Sequence, residues 1–99
     1  MFTWLNKQGV QSDRGFVVQF KGRFTADYRE DDKVVTLDVE DGLDGGLPCI
    51  IIDPSAFARW DDGTPIAPDQ QVRLFQNFKE AMEFQGLKMV VEQGESPAD

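Results

Sequence analysis

Ninety-nine residues make one domain, with no room for a catalytic domain plus a second module, and 40% hydrophobic content is enough for a core. Eighteen acids against ten bases give a net charge of −8, which argues against a nucleic-acid backbone binder. The chain holds no histidine and a single cysteine, so Ser–His and Cys–His catalysis, the HExxH zinc site, cysteine-rich zinc sites and an internal disulfide framework are excluded.

The start, Met1 to Lys7, lacks the charged and long apolar regions of a secretory signal, and Phe2 and Trp4 suit an edge strand. Phe16, Val18, Phe20, Phe24, Ala26 and Tyr28 share even positions, while polar Gln19, Lys21, Arg23, Thr25, Asp27 and Arg29 take odd ones. That is period-2 alternation with one buried face. Gly22 falls inside it, predicting either one long kinked strand or two strands meeting there. Glu30 to Lys33 supplies a polar turn, and Val35, Leu37 and Val39 alternate in a return arm. Glu40 to Leu47, with Gly42, Gly45 and Gly46, reads as a loop.

Cys49 to Ile52 is the longest apolar run and suits a central strand covered on both sides, with Cys49 a buried, inert thiol. It is far too short to span a bilayer, so no membrane partner and a cytoplasmic location are expected. Ala56 to Trp60 is long enough for one helical turn, and Asp61 to Pro65 reads as a second loop. Pro68 opens a helix running to about Gln85, with Asp69 at its positive end and Gly86 as its stop. Leu74, Phe75, Phe78, Ala81 and Met82 form its apolar stripe, opposite Arg73, Gln76, Lys79, Glu80 and Glu83. Phe84 lies off the stripe, placed either against Leu87 or in an exposed apolar spot. Leu87 to Val91 reads as a short final strand. The domain is taken as residues 1–93, with a frayed tail at 94–99.

These elements predict an α+β fold: a mostly antiparallel sheet of about four to six strands, one main C-terminal helix packed on one face, then a short strand. Charge is uneven along the chain, with a net of +3 over residues 1–29, −9 over 30–69 and −2 over 70–99. Asp38, Glu40, Asp41 and Asp44 are the densest carboxylate group. From Asp38, however, Gly42 comes fifth rather than sixth and no closing glutamate follows, so the EF-hand pattern fails. No metal, cofactor or catalytic residue is expected. Trp60 beside Asp61 and Asp62 suits either a core edge or an interface anchor.

The stretch from Tyr28 to Val91 holds VTLDVED, an apolar strand and FARWDDGTPIAPDQQVRLFQNFKEAMEFQGLKMVVE. Its Trp60-Asp61, its Gly/Pro loop and its helix with Asn77, Ala81, Phe84 and Gly86 resemble small immunity proteins of bacterial polymorphic-toxin and contact-dependent inhibition systems. Ala67 departs from the Ser or Asp expected as helix N-cap. The resemblance implies a non-enzymatic protein that binds and neutralises a cognate toxin. The acidic composition suggests a basic partner, such as a nuclease toxin domain. On this reading the partner-binding residues are Asp31, Asp32, Asp41, Asp44, Trp60, Asp61 and Asp62. The alternative is a self-associating structural or regulatory module, a homodimer joined through Phe2, Trp4 and the last strand.

Overall fold

A computed structural model of the chain describes residues 1–22, 24–53 and 55–91. Seven strands follow in chain order, β1 (Phe2–Asn6), β2 (Gly9–Ser12), β3 (Phe16–Phe20), β4 (Thr25–Glu30), β5 (Lys33–Asp44), β6 (Leu47–Ile52) and β7 (Lys88–Val91), with one helix, α1 (Pro68–Phe84), between the last two. Their order in the sheet is their order in the chain. All neighbours pair antiparallel except β6 and β7, which run parallel. A parallel pair needs a long crossover, and residues 53–87 with α1 supply it. The α+β class, the mostly antiparallel sheet and the helix on one face are therefore as expected. Seven strands exceed the four to six predicted, because the first twelve residues form a hairpin of two short strands rather than one edge strand.

The stretch from Phe16 to Tyr28 is two strands. Their register sets Phe16 opposite Glu30, Val18 opposite Tyr28 and Phe20 opposite Ala26, so even positions face even positions across the hairpin. The alternation thus runs unbroken through a turn. Phe24, at the turn, is exposed although its parity matches the core.

Residues 40–44 correct the loop expectation. β5 continues to Asp44, turns at Gly45-Gly46 (both φ positive) and returns as β6. β4 covers β5 only as far as Asp38, and β6 takes the opposite edge from Val39 onward. The second half of β5 is thus paired on one edge, where polar residues are tolerated. Gly42 sits there because any Cβ would lie 3.0 Å from Ile51 Cδ1 and 3.4 Å from Cys49 Sγ.

The inner face gathers Val10, Phe16, Val18, Ala26, Tyr28, Leu37, Ile50 and Ile52 against Leu74, Phe78, Ala81 and Met82 of α1. The predicted helix stripe is buried apart from Phe75, which is half-buried, and Asn77 joins the buried side. The helix starts on Pro68 with Ala67 as an N-cap that makes no side-chain bond. It ends in a Schellman motif: Leu87 N donates to Met82 O (2.9 Å) and Gly86 N to Glu83 O (3.0 Å), with Gly86 at φ +81.

The expected helical turn at Ala56–Trp60 is not helical. Two successive turns bind Ala56 N to Asp53 O and Ala58 N to Ser55 O, and Arg59 then bridges to Pro65. These turns aim Phe57 into the core, where it is fully buried between Tyr28, Phe75 and Phe78. Cys49 is buried as expected. The tail predicted at 94–99 lies outside the described residues.

Candidate functional site

Strand alternation decides which acids share a face. On β5 the odd residues Val35, Leu37 and Val39 point to the core, so Thr36, Asp38 and Glu40 point to the outer face, away from α1. Near its start, the edge of β5 opposite β4 has no strand among the described residues. Asp61 fills that place: its amide donates to Val34 O (2.8 Å), and its carboxylate accepts from Thr36 N (2.9 Å) and Thr36 Oγ1 (2.6 Å). One residue, through its amide and its carboxylate, thus satisfies two backbone groups a neighbouring strand would otherwise satisfy. Next along this face Asp53 accepts from Ser55 N and Ser55 Oγ, both at 2.7 Å. Those bonds, the hydroxyl's first, hold its carboxyl below the usual range.

Between these points lies a cleft of about 550 Å³. Its walls carry Asp38, Glu40 and Asp53 with Thr36 and Ser55, its floor includes Ile51, and Phe24 stands at the rim. None of the described residues lining it is basic. Among the described residues, no group of three or more His, Cys, Asp or Glu is placed to hold a metal ion. The cleft presents negative charge and hydroxyl groups over an apolar floor.

The predicted partner-binding residues fall into two groups. Asp31 and Asp32 form the β4–β5 turn, Asp31 with φ +59. With Trp60, Lys33 and Arg73 they border a smaller depression of about 310 Å³. Trp60 is half-buried and packs on the core, so it closes the core edge there. Asp61 and Asp62 follow it in the same loop. Asp41 and Asp44 lie at the other end of β5, a path of roughly 30–40 Å along the strand. Asp44 pairs with Lys88 of β7, and Asp41 borders a separate depression with Lys7, Gly22 and Leu87. Of the seven residues, the structure joins five and sets two apart. The prediction passed over Asp53 and Phe24, and it left Asp38 and Glu40 out of the binding set. Carrying the alternation of β5 past Asp38 is the signal that finds the latter two.

Asp62 is held by its loop. Its carboxylate accepts from Thr64 N (2.9 Å) and Lys33 Nζ (3.0 Å). Hydrogen bonds from Thr64 foremost, then Lys33, keep the carboxyl well below the ordinary carboxylate range. A folded value below the unfolded one means that the contribution is full above about pH 4 and fades as pH falls further. Asp62→Asn is therefore expected to flatten the acid limb of stability against pH, measured by urea unfolding between roughly pH 5 and pH 2. Equal acid slopes for both proteins would contradict this role.

Set against models of protein families, curated proteins and solved structures, the chain matches none. Among the described residues, no helix is long and apolar enough to cross a membrane.

Proposed function

We propose that the chain is a non-enzymatic acidic binding protein of the immunity or inhibitor kind, which neutralises a basic toxin domain by occluding it. The observation that carries this reading is the outer-face cleft, where Asp38, Glu40 and Asp53 converge with no described base among its lining residues. A nuclease-like toxin presents cations for phosphate, and carboxylates over an apolar floor compete for them as a polyanion. Asp31, Asp32 and Asp62, at the near end of β5, extend the negative field that steers encounter. Asp61 acts through position, since its bonds to Thr36 fix the strand that presents Asp38.

The test is affinity capture from lysate of the source cells with two baits, the native chain and Asp38→Lys/Glu40→Lys. The native bait is expected to retain a basic protein at low salt and release it as salt rises, while the double variant fails to retain it. An identical set of proteins on both baits would overturn the assignment of the cleft.

A further inference from the structure

The first half of β5 has an edge of its own. β4 covers β5 on one side from Lys33 to Asp38, and β6 takes the other side only from Val39 onward. The loop that follows Trp60 stands against the side left over. In a parallel pair, the residue opposite Val35 would donate its amide to Val34 O and accept from Thr36 N through its own carbonyl. Asp61 makes both bonds: its amide donates to Val34 O (2.8 Å), and its carboxylate Oδ1 accepts from Thr36 N (2.9 Å). The side-chain oxygen stands in for the carbonyl, and Oδ2 accepts from the Thr36 hydroxyl at 2.6 Å. One residue thus occupies the place of a strand. The loop is held firmly at its base and lightly at its tip. At the base Phe57 and Ile66 are buried, Ile66 N donates to Ala58 O (2.9 Å) and Arg59 bridges to Pro65. The tip, residues 61–64, is exposed, and the bonds it makes to β5 are polar: those of Asp61, and the Asp62–Lys33 pair at 3.0 Å.

We propose that residues 61–64 are a strap over β5, hinged at the base of their loop and latched by Asp61, and that lifting it bares the Val34–Thr36 edge while the rest of the domain stays folded. Hydrogen bonds and ion pairs at a surface each hold weakly, since water replaces them when they open. Segments held that way open locally, at far lower cost than global unfolding. The latch is also a guard. A bare strand edge offers unpaired amides and carbonyls to any other chain, and covering it with a loop removes that template. Here the cover uses a charged side chain in place of a second backbone row, so it closes the edge without continuing the sheet. Thr36 belongs to the wall of the outer-face cleft, and the strap keeps that wall clear of an added strand. The device is independent of what the cleft binds.

Amide hydrogen exchange, read by NMR, tests the strap, and sedimentation velocity tests the guard. In the native chain the Thr36 amide is expected to exchange through an opening that low urea does not accelerate. The amide of Leu37, which pairs with Ala26 on the β4 side, is expected to follow global unfolding. Asp61→Ala is expected to speed exchange at Thr36 by roughly tenfold or more with Leu37 changed far less, and to associate at concentrations where the native chain does not. Asp61→Asn keeps a side-chain oxygen for Thr36 N and is expected to exchange there like the native chain. If Thr36 of the native chain exchanges only in step with Leu37 as urea rises, no separate opening exists and the proposal fails, whatever the variants do. Thr36 and Leu37 accelerated by the same factor in Asp61→Ala, or a mass identical to that of the native chain from about 10 µM to about 1 mM, would also overturn it.

Discussion

Phe57→Ala is expected to lower unfolding free energy by about 3–5 kcal/mol, the largest effect of any single truncation outside a regular element. Phe57 belongs to neither strand nor helix, yet it is fully buried. Its ring meets Tyr28 at 5.5 Å, Phe75 at 5.1 Å and Phe78 at 6.1 Å, so it joins β4 to α1. Removing it opens a cavity that the turns around Ser55 cannot collapse into without breaking their own hydrogen bonds. Total stability of a domain this size is about 5–15 kcal/mol, so the loss is a large share. Urea unfolding measures it, with Leu43→Ala as the comparison, since Leu43 is 75% exposed and its truncation should stay within about 0.5 kcal/mol. A Phe57→Ala loss below about 1 kcal/mol would show that residues 55–66 are not a core element. The cleft would be affected too, because Ser55 and Ala56 form part of its wall.

The second large effect concerns a polar network that joins α1 to β4. Asn77 Nδ2 on α1 donates to Tyr28 Oη (2.9 Å), and Tyr28 in turn donates to Glu30 Oε1 (2.8 Å). Arg73, one helical turn before Asn77, closes the chain on Glu30 Oε2 at 3.0 Å. Burial pushes the Tyr28 hydroxyl well above its ordinary pKa, so it stays protonated and keeps donating. Among the described residues, no buried side-chain polar atom lacks a partner. Tyr28→Phe breaks that condition by leaving the Asn77 amide buried without its acceptor, at an expected cost of about 1–3 kcal/mol. Adding Asn77→Leu to Tyr28→Phe removes the stranded amide and is expected to recover part of the loss. A double-mutant cycle by urea unfolding gives the coupling. Strict additivity of the two changes would mean that the bond contributes nothing to joining α1 to β4.

Much of this architecture is legible in residue order, and the limits are physical. The helix announces itself because Pro68, a three-and-four-residue stripe and Gly86 agree at three levels. Phe16 to Tyr28 shows its buried face but not its turn, because a hairpin whose paired positions share parity keeps the alternation intact. β2 offers four residues, Gly9–Ser12, too few for any period to register. Residues 40–44 are hidden for a different reason. Glycine and acids read as loop signals, yet here Gly42 lies inside a strand where a Cβ would come within 3.0 Å of Ile51 Cδ1, and Asp41 and Asp44 lie on exposed sides of a half-covered strand. Phe57 carries no local signal, since its burial follows from turns that only the tertiary structure fixes.

The candidate site was legible as composition and obscure as geometry. Residues 30–69 hold eleven acids, which marks the region, but distance along the chain groups Asp41 and Asp44 with Asp38 and Glu40. Alternation sends Asp38 and Glu40 into the outer-face cleft and Asp41 to another depression, while Asp44 is set apart by its distance along β5, where it pairs with Lys88. Asp53 reaches the same cleft from the end of β6, and only pairing of β5 with β6 brings it there.

The measurement that tests the central claim most directly is the association rate of the captured basic partner with the native chain and with Asp38→Lys/Glu40→Lys, over a series of salt concentrations. An acidic docking cleft predicts at least a tenfold slower association for the variant at low salt, with a shallower salt dependence. Equal rates and equal salt slopes for the two proteins would contradict it.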